Sequence, residues 1–176
     1  DTTTKGFTAE SGTITLDGFI SVGFGDIVTV DALASLTTGA ATSKNSNATS
    51  GKIEIYGQGA DIQGDMVTGD ATTYGGGAAA EAGYIDVHGS YDGGGLVELA
   101  GAKTGKATAT AGYANTSKYV SGSIHALGIG VTINGDLETG EVTQGLNPVF
   151  GFNYTAYSGL IRIEGTYGVG GAVQLL

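Results

Sequence analysis

The chain has 176 residues, 40% of them hydrophobic, a formal net charge of −10 from seventeen acidic and seven basic residues, and no cysteine. That length and apolar content are enough for one domain with a core, and the missing thiols exclude disulfides and thiolate metal sites. The basic residues stand singly from Lys5 to Arg162, so no basic stripe is available for nucleic acid, and no stretch approaches the 18 or so apolar residues of a membrane-spanning helix.

In chain order, residues 1–11, DTTTKGFTAES, form a polar, Thr-rich segment of low helix propensity that carries Phe7 and Ala9 at i, i+2 spacing. Its opening at Asp1 and not Met suggests a mature chain released from a signal peptide, and so export. Beyond it the chain alternates with a period of two. Six segments share the template Gly-x-apolar-x-apolar-x-Gly: GTITLDG (12–18), GKIEIYG (51–57), GYIDVHG (83–89), GLVELAG (95–101), GSIHALG (122–128) and GLIRIEG (159–165). The two apolar positions share one face of a strand, and the flanking positions give it a wet face. Further strands are expected at 19–24, 26–30, 60–68, 105–113, 130–134, 149–157 and 169–176. Asp31 predicts a cap for one or two helical turns over "ALASL" (32–36). "GAATSKNSNATSG" (39–51) and "GGGAAAEAG" (75–83) read as loops.

Glycine stands at 34 positions with one proline and no three-residue period, which excludes a collagen-like helix. The template segments begin 12 to 39 residues apart, read as recurrent strand chemistry and not as a solenoid repeat. Ten or more short strands with glycine turns predict an antiparallel sandwich or barrel with little or no helix. Such a domain must deal with its edge strands, and few lysines and a single proline, Pro148, are available to blunt them. Residues 1–11 gain too little burial alone to offset roughly 1–2 kcal/mol of backbone ordering per residue. Laid into a groove of a neighbouring subunit they gain a hydrogen-bond ladder and a pocket for Phe7. A homopolymer is the expected outcome.

The run Phe7-Thr8-Ala9-Glu10-Ser11-Gly12-Thr13-Ile14-Thr15-Leu16, followed by a Gly25-Asp26 step with Phe24 where a proline is usual, resembles the N-terminal signature of the TasA/camelysin-like proteins. The resemblance covers about residues 7–26. It implies an antiparallel β-sandwich of jelly-roll type over residues 12–176, a subunit of bacterial biofilm fibres or archaeal bundling pili. Residues 1–11 are then the donor strand, with Thr3, Thr4, Lys5, Gly6, Phe7, Thr8 and Ala9 contacting the partner and Phe7 and Ala9 facing its groove. The C-terminal "GAVQLL", with Val173 and Leu175 on one face, is expected as a buried strand beside that groove.

Catalytic chemistry is not expected. His88 and His125 fall on the wet faces of their strands, with no nucleophile or metal motif around them, so no metal ligand is assigned. Asp86, Glu98, Glu54 and Arg162 take central outward positions where neighbouring charges can pair. The acidic turns "GDMVTGD" (64–70), "YDGGG" (91–95) and "NGDLETGE" (134–141) offer oxygen ligands for Ca²⁺ without matching a known calcium loop. Asn47, Asn115 and Asn153 head acceptor triplets for N-glycosylation on an extracellular surface. The alternative function is a secreted adhesive or carbohydrate-binding module, against which stands the absence of tryptophan. An ice-binding face needs regular Thr-x-Thr ranks, and "TIT" (13–15) and "TAT" (108–110) are too few.

Overall fold

A computed structural model describes residues 1–4, 8–18, 29–74, 78–89, 95–109, 116–144, 153–165 and 172–176, with the backbone alone at 116–119, 144 and 153–155. Every described strand pairs in parallel, and the chain winds as a β-solenoid. One rung runs Ala41–Ser43 (sheet A), Ala48–Thr49 (sheet B), Ile53–Tyr56 (sheet C), Ala60–Ile62 (sheet D) and Met66–Val67 (sheet E). Each strand pairs with its counterparts one rung before and after, so sheets A to D hold five strands each and sheet E four. In sheet C the partners are Ile14–Asp17, Ile53–Tyr56, Ile85–His88, Ile124–Gly128 and Ile161–Gly165.

Alternation decides what lies inside. In the middle rungs of sheets C and D the inward residues Ile53, Ile55, Ile85, Val87, Ile124, Val97, Leu99, Val131 and Ile133 are buried, and with Met66 and Ala102 of sheet E they form the main core. Each large aliphatic side chain so buried contributes about 1.5–3 kcal/mol relative to exposure. Among the described residues, sheets A and B bring in Ala9, Ala41, Ala48, Ala71, Ala80, Ala107 and Ala109, with Val142 packed against them, a second core of small side chains that lets those two sheets lie close together.

A polar seam runs beside these cores. Buried Thr38, Thr68 and Thr104 each donate an Oγ1 hydrogen bond of 2.8 Å to the carbonyl of the glycine opening a strand of sheet C: Gly51, Gly83 and Gly122. Each oxygen also accepts an N–H from the following rung, from Gly69, Gly105 and Gly140 at 3.3, 3.1 and 3.1 Å. No buried side-chain nitrogen or oxygen among the described residues lacks a partner, as a dry interior requires.

The same corner explains part of the glycine content. Gly51, Gly83, Gly122 and Gly159 stack so closely that an added Cβ would sit 2.0, 1.9, 1.9 and 2.0 Å from the carbonyl oxygen of the glycine one rung earlier. No side chain fits there at the rung spacing of about 4.8 Å. Gly12 heads this column and has nothing within 4 Å of its would-be Cβ.

These findings correct several expectations. The fold is not an antiparallel jelly-roll sandwich: alternation of apolar and polar positions is the same for parallel and antiparallel strands, and here each strand's partner is its own counterpart one rung away. The solenoid set aside on spacing is the architecture. Five of the six template segments are the five strands of sheet C, and the sixth, 95–101, belongs to sheet D. Residues 32–36 are not helical, since Val30–Ala32 and Leu36–Thr37 are strands around a turn. The loops expected at 39–51 and 75–83 contain the strands Ala41–Ser43, Ala48–Thr49 and Ala80–Glu81; their alanines face the small-residue core, a pattern with too little bulk to read as a strand. Val173–Leu175 is a strand, paired with Val131–Ile133, but Val173 and Leu175 are exposed, with no described strand on their other side.

The N-terminal segment also has a place within its own chain. Thr2–Thr4 pairs with Ala41–Ser43 and Ala9–Glu10 with Ala48–Thr49, so Thr3, Thr4 and Ala9 form the first rung of their own sheets A and B. Thr8 is exposed, its hydroxyl 3.4 Å from that of Ser46. Lys5, Gly6 and Phe7 lie outside the described residues, as do 19–28, which hold Phe24, Gly25 and Asp26.

Candidate functional site on the outer face of sheet C

The parallel register lines up the outward residues of sheet C in two columns. One is Thr15, Glu54, Asp86, His125 and Arg162; the other is Asp17, Tyr56, His88, Leu127 and Glu164. Successive members stand about 4.8 Å apart along a column, within reach of one another's side chains.

Polar contacts link members of these columns in two groups, one around Glu54 and one around Asp86. Lys52 Nζ lies 4.9 Å from the centre of the Tyr84 ring, and the Tyr84 hydroxyl donates to Glu54 Oε1. That hydrogen bond to a carboxylate, then burial and the Glu54 charge, push the Tyr84 phenol up to about 12. At the centre, Asp86 Oδ1 lies 2.8 Å from His88 Nε2 and 3.0 Å from His125 Nδ1. The two imidazoles meet edge to face with ring centres 5.0 Å apart, and Tyr56 packs against His88 at 5.6 Å. His125 Nε2 lies 3.3 Å from Glu164 Oε2, and Arg162 Nε donates to Glu164 Oε1 at 2.8 Å. Arg162, and after it His125, hold the Glu164 carboxyl below its ordinary pKa. Asp86, His88 and His125 are half-buried, and their ligand atoms all lie within 4.8 Å of one another.

His88 and His125 therefore face outward as the alternation predicts, but the fold brings them onto one carboxylate, which sequence reasoning missed. The signal was present: aligning 83–89 with 122–128 sets Asp86 beside His125, with His88 two positions on. Of the outward charges singled out, Glu54, Asp86 and Arg162 share a column, whereas Glu98 lies in sheet D and accepts from Asn134 Nδ2 at 2.6 Å. The acidic turns do not form a ligand group among the described residues, where the cluster of three is the one at Asp86. Asp70 instead accepts the Lys106 N–H at 2.7 Å; 91–94 lie outside the described residues.

Asn47 is exposed, and its Oδ1 accepts the N–H of Ala79 at 2.9 Å. Asn153 begins the last strand of sheet B, and Asn115 lies outside the described residues. On sheet A, Thr3, Thr42, Thr72, Thr108 and Thr143 stack as an outward rank that the sequence did not reveal, one threonine per strand and so not a Thr-x-Thr surface. No helix among the described residues is long and apolar enough to cross a membrane. No family model, curated protein or solved structure matches the chain.

Proposed function

We propose that the chain is a structural subunit of an extracellular filament, lengthening by stacking the last rung of one copy on the first rung of the next. The observation that carries this reading is the match between the two end rungs. Carried one step further, the sheet C and sheet D columns set Ile161 and Ile163 against Ile14 and Leu16, and Val173 and Leu175 against Val30 and Ala32. In sheets C and D every inward contact across such a joint is aliphatic. The inner counterparts of the last rung are at most 1% exposed, whereas Ile161, Val173 and Leu175 are 40, 46 and 67% exposed. Strand edges without a described partner, the half-buried aliphatic residues of the first rung and the exposed ones of the last favour pairing with a further rung. The joint uses sheets A to D, since sheet E has one strand fewer.

Thr3, Thr4 and Ala9 take part in this joint as first-rung strands and not as an exchanged peptide. The adhesive alternative has no observation in its favour on the described surface. With a net charge of −10 per copy, mutual repulsion opposes association, so salt promotes it.

Gly12 provides the test. In a stacked pair its Cβ position would face the Gly159 carbonyl of the neighbouring copy, as that of Gly51 faces Gly12 at 2.0 Å. Negative-stain microscopy and sedimentation of the wild-type chain at moderate salt are expected to show fibres. Gly12→Ala is expected to give folded monomers that melt at the temperature of the wild-type monomer at low salt. Wild-type chain that stays monomeric at high concentration and salt, or ordinary fibres from Gly12→Ala, would overturn the reading.

A further inference from the structure

We infer that Asp86, His88 and His125 form a binding site for a divalent transition-metal ion of the zinc class, which clasps two neighbouring rungs of sheet C together. The inference is independent of filament assembly, because all three ligands belong to one molecule.

The donor set selects the ion. Two imidazole nitrogens and one carboxylate oxygen suit Zn²⁺ and its first-row neighbours, whereas Ca²⁺ and Mg²⁺ take oxygen ligands and the softest ions take thiolates. The 2.8 and 3.0 Å separations from Asp86 Oδ1 to the two nitrogens are close to the edge of about 3.3 Å in a tetrahedron of 2.0–2.1 Å ligand bonds. Half-exposure leaves the fourth position to water.

The surroundings of His125 give a second and separate argument. Its Nδ1 lies 3.0 Å from the Asp86 carboxylate, and its Nε2 lies 3.3 Å from Glu164, which Arg162 fixes on its other oxygen. A carboxylate behind the far nitrogen of a ligating imidazole is the arrangement that orients such ligands and raises their basicity. Glu164 is thus a positioning residue, and the strands Ile85–His88 and Ile124–Gly128 carry the ligands on adjacent rungs. The chain's two histidines both lie in this cluster.

The experiment is titration of the metal-free full chain with Zn²⁺ alone, followed by calorimetry and by nitrogen-15 NMR of the imidazole rings. With only two histidines in the chain, each ring signal is assigned by its own alanine variant. One equivalent of Zn²⁺ is expected to bind, shifting His88 Nε2 and His125 Nδ1 while His125 Nε2 keeps its proton. His88→Ala and His125→Ala should abolish this binding, and Glu164→Gln should weaken it about 10–100-fold. All three side chains point away from the core, and an unchanged far-UV circular dichroism spectrum checks that each variant folds. Ring signals unmoved at millimolar Zn²⁺ would overturn the inference. Stoichiometric binding that survives in the His88→Ala/His125→Ala double variant would overturn it equally.

Discussion

Replacing Gly83 by alanine places a methyl group 1.9 Å from the carbonyl oxygen of Gly51, 2.6 Å from its carbonyl carbon and 3.1 Å from the oxygen of Ser50. A carbon settles no closer to a carbonyl oxygen than about 3.3 Å, so the rungs must part locally by more than about 1 Å. Two buried hydrogen bonds meet at this residue: its N–H donates to Ser50 Oγ at 2.7 Å, and its carbonyl accepts from Thr68 Oγ1 at 2.8 Å. Leaving such groups unsatisfied costs about 1–3 kcal/mol each, so the expected loss is about 3–5 kcal/mol. That is a large part of the 5–15 kcal/mol typical of a folded domain. Guanidinium unfolding followed by far-UV circular dichroism measures it, and because rungs are coupled only to their neighbours the transition should also broaden. Gly12→Ala in the same column meets nothing within 4 Å and should change stability by no more than about 0.5 kcal/mol. Equal, small costs for the two variants would refute the claim that stacked backbone, and not turn conformation, demands glycine at this corner.

Ile85→Ala, at a fully buried position flanked by Ile53 and Ile124, should cost about 3–4 kcal/mol in the same assay. Ile161→Ala, in the same column but 40% exposed, should cost about 1 kcal/mol. Thr104→Val keeps the shape but deserts the Gly122 carbonyl and the Gly140 N–H. It should destabilise by about 2–4 kcal/mol, with Thr104→Ser recovering most of the loss; a neutral Thr104→Val would mean that the polar seam adds nothing.

Much of the solenoid was legible one strand at a time. Period-two alternation identified the inward aliphatic residues of sheet C and, in sheet D, Val97 and Leu99, and the bounding glycines marked where each strand of sheet C begins. The repeat itself was obscured by connections of unequal length: from sheet C to sheet D the chain uses residues 18–29, 57–59, 89–95, 129 and 166–172. Sheet D also contributed a look-alike segment at 95–101, which broke the spacing of the other five. The alanine strands of sheets A and B were misread because small side chains carry little hydrophobic signal, although there they are what lets two sheets lie close together.

The sequence by itself determined that the chain forms short strands with one apolar and one wet face, closed by glycine and held without disulfides, because side-chain alternation is a local property of an extended backbone. Only the tertiary structure decided that the strands run parallel, that glycines stack on glycines, and that Asp86, His88 and His125 meet. Those outcomes depend on which rung lies above which, a matter of register between residues 32 to 39 positions apart that no local pattern encodes.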